Sequence, residues 1–116
     1  MIELGFKTRT AASNTAVSVV EVTGPLDMDT AGEFGEALKG LFRQNRLKIV
    51  LDLDKLTYLS STGIGVLVGH TKEVREKKGD IKIAGENQEF LKVVELLDME
   101  RIFPLYKSEE DAANDF

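Results

Sequence analysis

The chain has 116 residues, of which 42% are apolar and 30% charged, the size and balance of one soluble globular domain with a core of its own. It has no cysteine and only one histidine, which excludes disulfides, thiolate metal ligands, a cysteine nucleophile and any zinc cluster built from those residues. The net charge of −5 argues against direct binding to nucleic acid, and no run approaches the ~18 apolar residues of a membrane span.

The opening Met1-Ile2-Glu3-Leu4 lacks the basic-then-apolar pattern of a signal peptide, so a cytoplasmic location without membrane attachment is expected. Ile2 to Thr8 partly alternates apolar and polar residues and reads as a strand. Ala11-Ala12-Ser13-Asn14 is a short polar loop, and Val17 to Val22 is β-branched, so the two strands form an antiparallel hairpin. Gly24-Pro25 is expected to stop the second strand. Asp27 or Asp29 can cap the helix that follows, where Ala31, Phe34, Leu38, Leu41 and Phe42 recur at helical spacing from about Asp29 to Gln44. Gly32, Gly35 and Gly40 each weaken that helix by roughly 1 kcal/mol relative to Ala, which packing of the Phe34 face must offset.

Lys48-Ile49-Val50-Leu51-Asp52-Leu53 is a nearly continuous apolar run, the pattern of a strand covered on both faces. Asp54 to Ser60 reads as a connector that includes Lys55 and Tyr58. A long amphipathic helix begins at Ser61, with Ile64, Leu67, Val68, Thr71 and Val74 on its inner side, and ends at Lys77-Lys78-Gly79. Ile81 to Ala84 is a short strand, and Asn87 starts a helix with Phe90, Val93, Val94 and Leu97 on one face. Ile102-Phe103-Pro104-Leu105 is a further short strand, with Pro104 at an edge or end. Ser108 caps a last short helix carrying Glu109, Glu110 and Asp111 in its first turn, which is expected to fray. The order predicts an α/β fold: one domain over residues 1–116, with a mixed, mostly parallel sheet of about five strands that opens on a hairpin and is covered by about four helices.

Catalytic groups do not converge in this pattern. His70 stands in mid-helix with no motif around it and reads as a surface or helix-flank residue. The 20 carboxylates lack calcium-loop spacing and read as solvated faces, so no metal site is expected. Ser61-Thr62-Gly63-Ile64-Gly65 follows a strand and opens a helix, as a nucleotide loop does. A Gly-x-Gly-x-x-Gly reading from Gly63 needs glycine at Val68, however, and the phosphate-loop lysine is missing, so no cofactor is expected. Ser61 has two readings: its hydroxyl can cap the free N–H groups of the helix, or it can accept a phosphate. A phosphate there adds roughly −1.5 to −2 charges where the helix dipole tolerates them, while a docked partner would meet a new dianion. The segment is therefore suited to switching a protein contact without unfolding.

The motif Val50-Leu51-Asp52-Leu53, then Leu56-x-Tyr58-Leu59-Ser60-Ser61-Thr62-Gly63-Ile64-Gly65-Val66-Leu67, resembles the signature of the STAS domain, specifically the bacterial anti-sigma factor antagonists. Gly24-Pro25-Leu26-Asp27 with Thr30-Ala31 resembles a second family segment, Gly-Glu-Leu/Ile-Asp, and the element order agrees over nearly the whole chain. The resemblance implies a binding protein rather than an enzyme. Unphosphorylated, it would capture an anti-sigma factor that is also a serine kinase and so free a sigma factor; a PP2C-type phosphatase would reverse the modification. The family pattern Asp-Ser-Ser/Thr-Gly, aligned on Thr62-Gly63, assigns the phosphate to Ser61, with Ser60 and Thr62 as rival acceptors because Ser60 stands where the family has Asp. Pro25 likewise replaces the family's Glu. The implied partner surface comprises Asp27, Tyr58, Ser60, Ser61, Thr62, Gly63 and Ile64. Other readings left open are a STAS scaffold that binds without phosphorylation, a separate subunit of a transporter, and a small nucleotide-binding domain around Ser61 to Gly65.

Overall fold

The computed structural model describes residues 3–116. The strands are β1 (Gly5–Thr10), β2 (Ser18–Leu26), β3 (Lys48–Leu59), β4 (Asp80–Ala84) and β5 (Leu105–Tyr106). The helices are α1 (Ala31–Arg43), α2 (Ser61–Glu76), α3 (Gln88–Leu96) and α4 (Glu109–Ala113). All strands lie in one five-stranded sheet in chain order, β1 antiparallel to β2 and every later pair parallel. The mixed sheet and its opening hairpin are those the pattern predicts.

Each parallel connection carries a helix and steps one strand onward, so the crossovers bring α1, α2 and α3 to the same face of the sheet. Strand alternation separates the two faces. Val20, Val22, Ile49, Leu51, Leu53, Ile81 and Ile83 pack under those helices, against Phe34, Leu38, Ile64, Leu67, Phe90 and Val94. Val17, Val19, Val50 and Ala84 face the other way and are covered by Ala112 and Ala113 of α4. β3 is thus covered on both faces, as its apolar run requires.

Several boundaries differ from the sequence expectation. Ile2 lies outside the described residues, and β1 runs two residues further than expected, to Thr10. Gly24-Pro25 does not stop β2, which continues to Leu26. The register shifts between Gly24 and Pro25, and at such a bulge proline's missing N–H costs no ladder bond. Gly24 has φ +95°, and a Cβ there would lie 2.5 Å from the Glu3 carbonyl oxygen, so both its conformation and its contact need glycine. The expected connector Asp54 to Ser60 is strand as far as Leu59, because Lys55, Leu56, Tyr58 and Leu59 pair with β2.

Helix ends also differ. Neither Asp27 nor Asp29 caps α1; the N-cap is Thr30, which makes no side-chain cap bond, while the Asp27 carboxylate accepts from the N–H groups of Asp29 and Thr30 in the turn before it. At the end of α2 the left-handed residue is Lys78, φ +67°, and not Gly79. The Gly79 N–H reaches the Val74 carbonyl at 2.8 Å and the Lys78 N–H the Arg75 carbonyl at 3.0 Å, a Schellman pair. Gly79 is needed for a different reason: a Cβ there would sit 2.2 Å from the Leu47 carbonyl oxygen. Leu97 is 49% exposed instead of buried with Phe90 and Val94, because α3 ends before it. Ile102 and Phe103 are not strand; Phe103 enters the core edge-on to Phe90, and only Leu105–Tyr106 pair with β4. α4 is held down by its fully buried Ala112 and Ala113.

Candidate functional site

β2 and β3 end side by side, with Leu26 opposite Leu59. The Leu26 carbonyl then accepts the Ser60 N–H at 2.9 Å, which fixes the β3–α2 junction against the start of the β2–α1 turn. Ser60 has extended backbone, φ −91° and ψ 168°, and its hydroxyl oxygen accepts the Gly63 N–H at 3.0 Å. Ser60 is therefore the N-cap of α2, and the capping expected of Ser61 is done by its neighbour.

That assignment frees Ser61. It occupies the first helical position, and Ser61 and Thr62 are both exposed. The cap satisfies only one of the helix's unpaired N–H groups, and no acidic residue lies in the first turn. Gly63 and Ile64 are buried and build the helix start from within. A Cβ on Gly63 would meet the Leu26 carbonyl oxygen at 2.7 Å and the Leu59 side chain at 3.2 Å, so the close approach of α2 to both strand ends depends on glycine.

The strand that leads to this helix start and the turn that follows β2 each carry an exposed apolar side chain, Tyr58 at 51% and Met28 at 75%. Tyr58 lies opposite Pro25 in the strand pairing, and Met28 is two residues past Leu26 in the neighbouring turn. Asp27 is beside the Leu26–Ser60 tether, its carboxylate engaged with the backbone of Asp29 and Thr30 and with the Thr30 hydroxyl. The fold thus gathers Asp27, Tyr58, Ser60, Ser61, Thr62, Gly63 and Ile64 at one end of the sheet. Met28 was missed in the sequence. Its only signal is an unpaired apolar residue between two aspartates in a turn, where solvation is the default.

Of the two readings for His70, the structure has the helix-flank one, on the side of α2 that faces α1. Its side chain is 15% exposed, lies between α1 and α2, meets the Phe42 ring edge-on at 6.2 Å and approaches Glu73 at 3.4 Å. Gly35 leaves the room: a Cβ there would be 2.9 Å from the imidazole Nε2.

The other face of the sheet holds a polar cluster that chain spacing did not reveal. Carboxylate oxygens of Glu21, Asp52 and Glu109 all lie within 4.8 Å of one another. Arg9 supplies the counter-charge, in an ion pair with Glu109 and 3.9 Å from Glu21. Burial, and then a hydrogen bond with Glu109, push the Asp52 carboxyl above its ordinary value of 3.8, against the lowering effect of the Asp54 N–H. Glu21 and Asp52 meet Glu109 at the start of α4, away from the Ser61 turn, and Arg9 gives the cluster a structural explanation.

The STAS domain profile matches residues 8–112. Among curated proteins, the chain is 28% identical over 100 residues to an anti-sigma F factor antagonist of Paenibacillus polymyxa, covering 83% of each chain. Among solved structures, an anti-sigma factor antagonist from Mycobacterium paratuberculosis superposes with a TM-score of 0.84 at 23% identity, covering 97% of this chain and 93% of that one. The Bacillus cell fate determinant SpoIIAA in its phosphorylated form gives a TM-score of 0.72 at 17% identity, covering 96% and 98%. At those identities the two structural likenesses establish the fold.

Proposed function

The chain belongs to the STAS domain family, and from that membership we propose that it is an anti-sigma factor antagonist whose partner surface is the β3–α2 junction, switched by phosphorylation of Ser61. The names of its relatives support the first part. The observation that carries the second is the division of labour between adjacent hydroxyls: Ser60 is engaged as the cap, while Ser61 is exposed at the first helical position. Serine and aspartate are both strong N-caps, so Ser60 can hold the helix start as an acidic residue would. An occupied cap is also a poorer acceptor than a free hydroxyl, which favours Ser61 over Ser60; Thr62 is the remaining rival.

In this reading Tyr58 and Met28 provide the apolar anchors for an anti-sigma factor that is also a serine kinase, and Asp27 shapes the rim. A phosphate on Ser61 adds a hydrated dianion to that surface, and its desolvation opposes docking. A PP2C-type phosphatase would restore the binding form. The chain acts by binding and uses no cofactor of its own.

Incubation with the cognate kinase and ATP, followed by mass spectrometry, is expected to place one phosphate on Ser61. No phosphate on residues 60–62 would defeat the switch, and binding that persists regardless would favour a phosphate-independent scaffold. Ser61→Asp is expected to weaken kinase binding while Ser61→Ala preserves it.

A further inference from the structure

The Ser61 segment is reached through a strand that outruns its neighbour. β3 extends from Lys48 to Leu59, but β4 pairs with it only from Lys48 to Asp52. The remaining half keeps β2 on one side, with the pairing interrupted by register shifts between Glu21 and Thr23 and between Gly24 and Pro25. On the other side the sheet gives way to the turn Gly85-Glu86-Asn87 that leads into α3.

That turn binds the edge of β3 with side chains and backbone. The Asn87 amide nitrogen donates to both the Leu53 and the Leu56 carbonyls, each at 2.8 Å, while its amide oxygen accepts the Phe90 N–H at 2.9 Å as the cap of α3. Both amide hydrogens and the oxygen are thereby used. Asp54 answers from β3, its carboxylate accepting the Glu86 N–H at 3.0 Å. Gly85, with φ +108°, lets the turn come this close, since a Cβ there would fall 2.4 Å from the Asp54 carboxylate. The bonded carbonyls span Leu53 to Leu56, and Leu56 is four residues before Ser60.

We infer that Asn87 is a positioning residue for the Ser61 segment: it replaces the missing strand beside the overhang of β3 and joins the start of α3 to the strand that carries Tyr58 and ends at the α2 cap. One side chain does two separable jobs. Its oxygen caps α3, and its nitrogen holds β3. Any partner that presses on α3 is then felt at the Ser61 turn, and the reverse. The functional consequence rests on the reading of that turn as the partner surface; the tether itself does not.

The two jobs can be separated by substitution. Asn87→Asp keeps a capping oxygen and loses both donors to β3. Asn87→Ser also caps and is too short to span both carbonyls, and it avoids placing a carboxylate against them. Amide hydrogen exchange in D2O, read residue by residue by NMR, is the probe and needs no partner protein. In both variants the hydrogen-bonded amides between Leu56 and Gly63, those of Ser60 and Gly63 among them, are expected to exchange about tenfold or more faster, while those of α1, β1 and α3 stay within about twofold of the unaltered protein. A uniform rise over the whole chain would overturn the inference, since it would make Asn87 a general stabilising residue. Unchanged exchange from Leu56 to Gly63 would overturn it as well. If the local rise occurs but Ser61→Asp and Ser61→Ala bind the kinase equally, the tether stands and the phosphate switch falls.

Discussion

Adding one methyl group at Gly63 is expected to cost stability, whereas the same addition at Gly65, two residues on in α2, is expected to raise it. In helix propensity alone, each Gly→Ala exchange should stabilise by roughly 1 kcal/mol. At Gly65 nothing lies within 4 Å of the new Cβ, so most of that gain should appear. At Gly63 the Cβ would meet the Leu26 carbonyl oxygen at 2.7 Å and the Leu26 Cγ at 3.0 Å. The carbonyl cannot retreat freely, because it holds the Ser60 N–H at 2.9 Å, and Gly63 itself donates to the Ser60 cap. Overpacking of this kind costs about 1–3 kcal/mol, and here it comes with strain on two hydrogen bonds, so the net loss should be about 1–2 kcal/mol. The two variants should therefore differ by about 2–3 kcal/mol. Urea denaturation followed by circular dichroism measures this directly, with equal m-values confirming that only stability has changed. Equal midpoints for Gly63→Ala and Gly65→Ala would refute the claim that α2 rests on the ends of β2 and β3 at Gly63.

Ser60→Ala should destabilise the protein by about 1 kcal/mol through loss of the α2 cap, while Ser60→Asp should stay within a few tenths of the original, both read from thermal melts. Ser61→Asp should leave stability unchanged or raise it by up to about 1 kcal/mol, because an acid in the first turn suits the helix dipole; a clear loss would show that the fold does not tolerate charge there. Asp52→Asn should raise stability at neutral pH and flatten its pH dependence. The folded-state carboxyl titrates above 3.8, so its contribution is full below that value and is lost as pH rises through the elevated one. Denaturation midpoints at pH 4 and pH 7 test this, and a variant that keeps the original's slope would reject it.

The sequence by itself determined the element types, the opening hairpin and the mostly parallel sheet, because local periodicity reports which faces are buried. Ile49 to Leu53 reads as covered on both sides because both its faces meet apolar neighbours. Ser108 is legible as a cap and Asn87 as the start of a helix, since capping is a local hydrogen bond within one turn. The motif around Ser61 also marks the helix start, but not which serine caps it; adjacent hydroxyls are chemically alike until the backbone angles assign one to the extended position.

The rest depends on groups distant in the chain. Pro25 sits inside a strand because a bulge removes the need for its N–H, and the bulge arises from pairing with β3. Leu56 and Tyr58 are strand through contact with β2 and Asn87, not through their own pattern. The turn that carries Met28 ends up beside the β3–α2 junction, and Glu21 and Asp52 meet Glu109 of α4, only because the sheet brings their segments together. Periodicity reports how a residue is buried; which residues share a place is decided by strand register and crossover order, which act between segments.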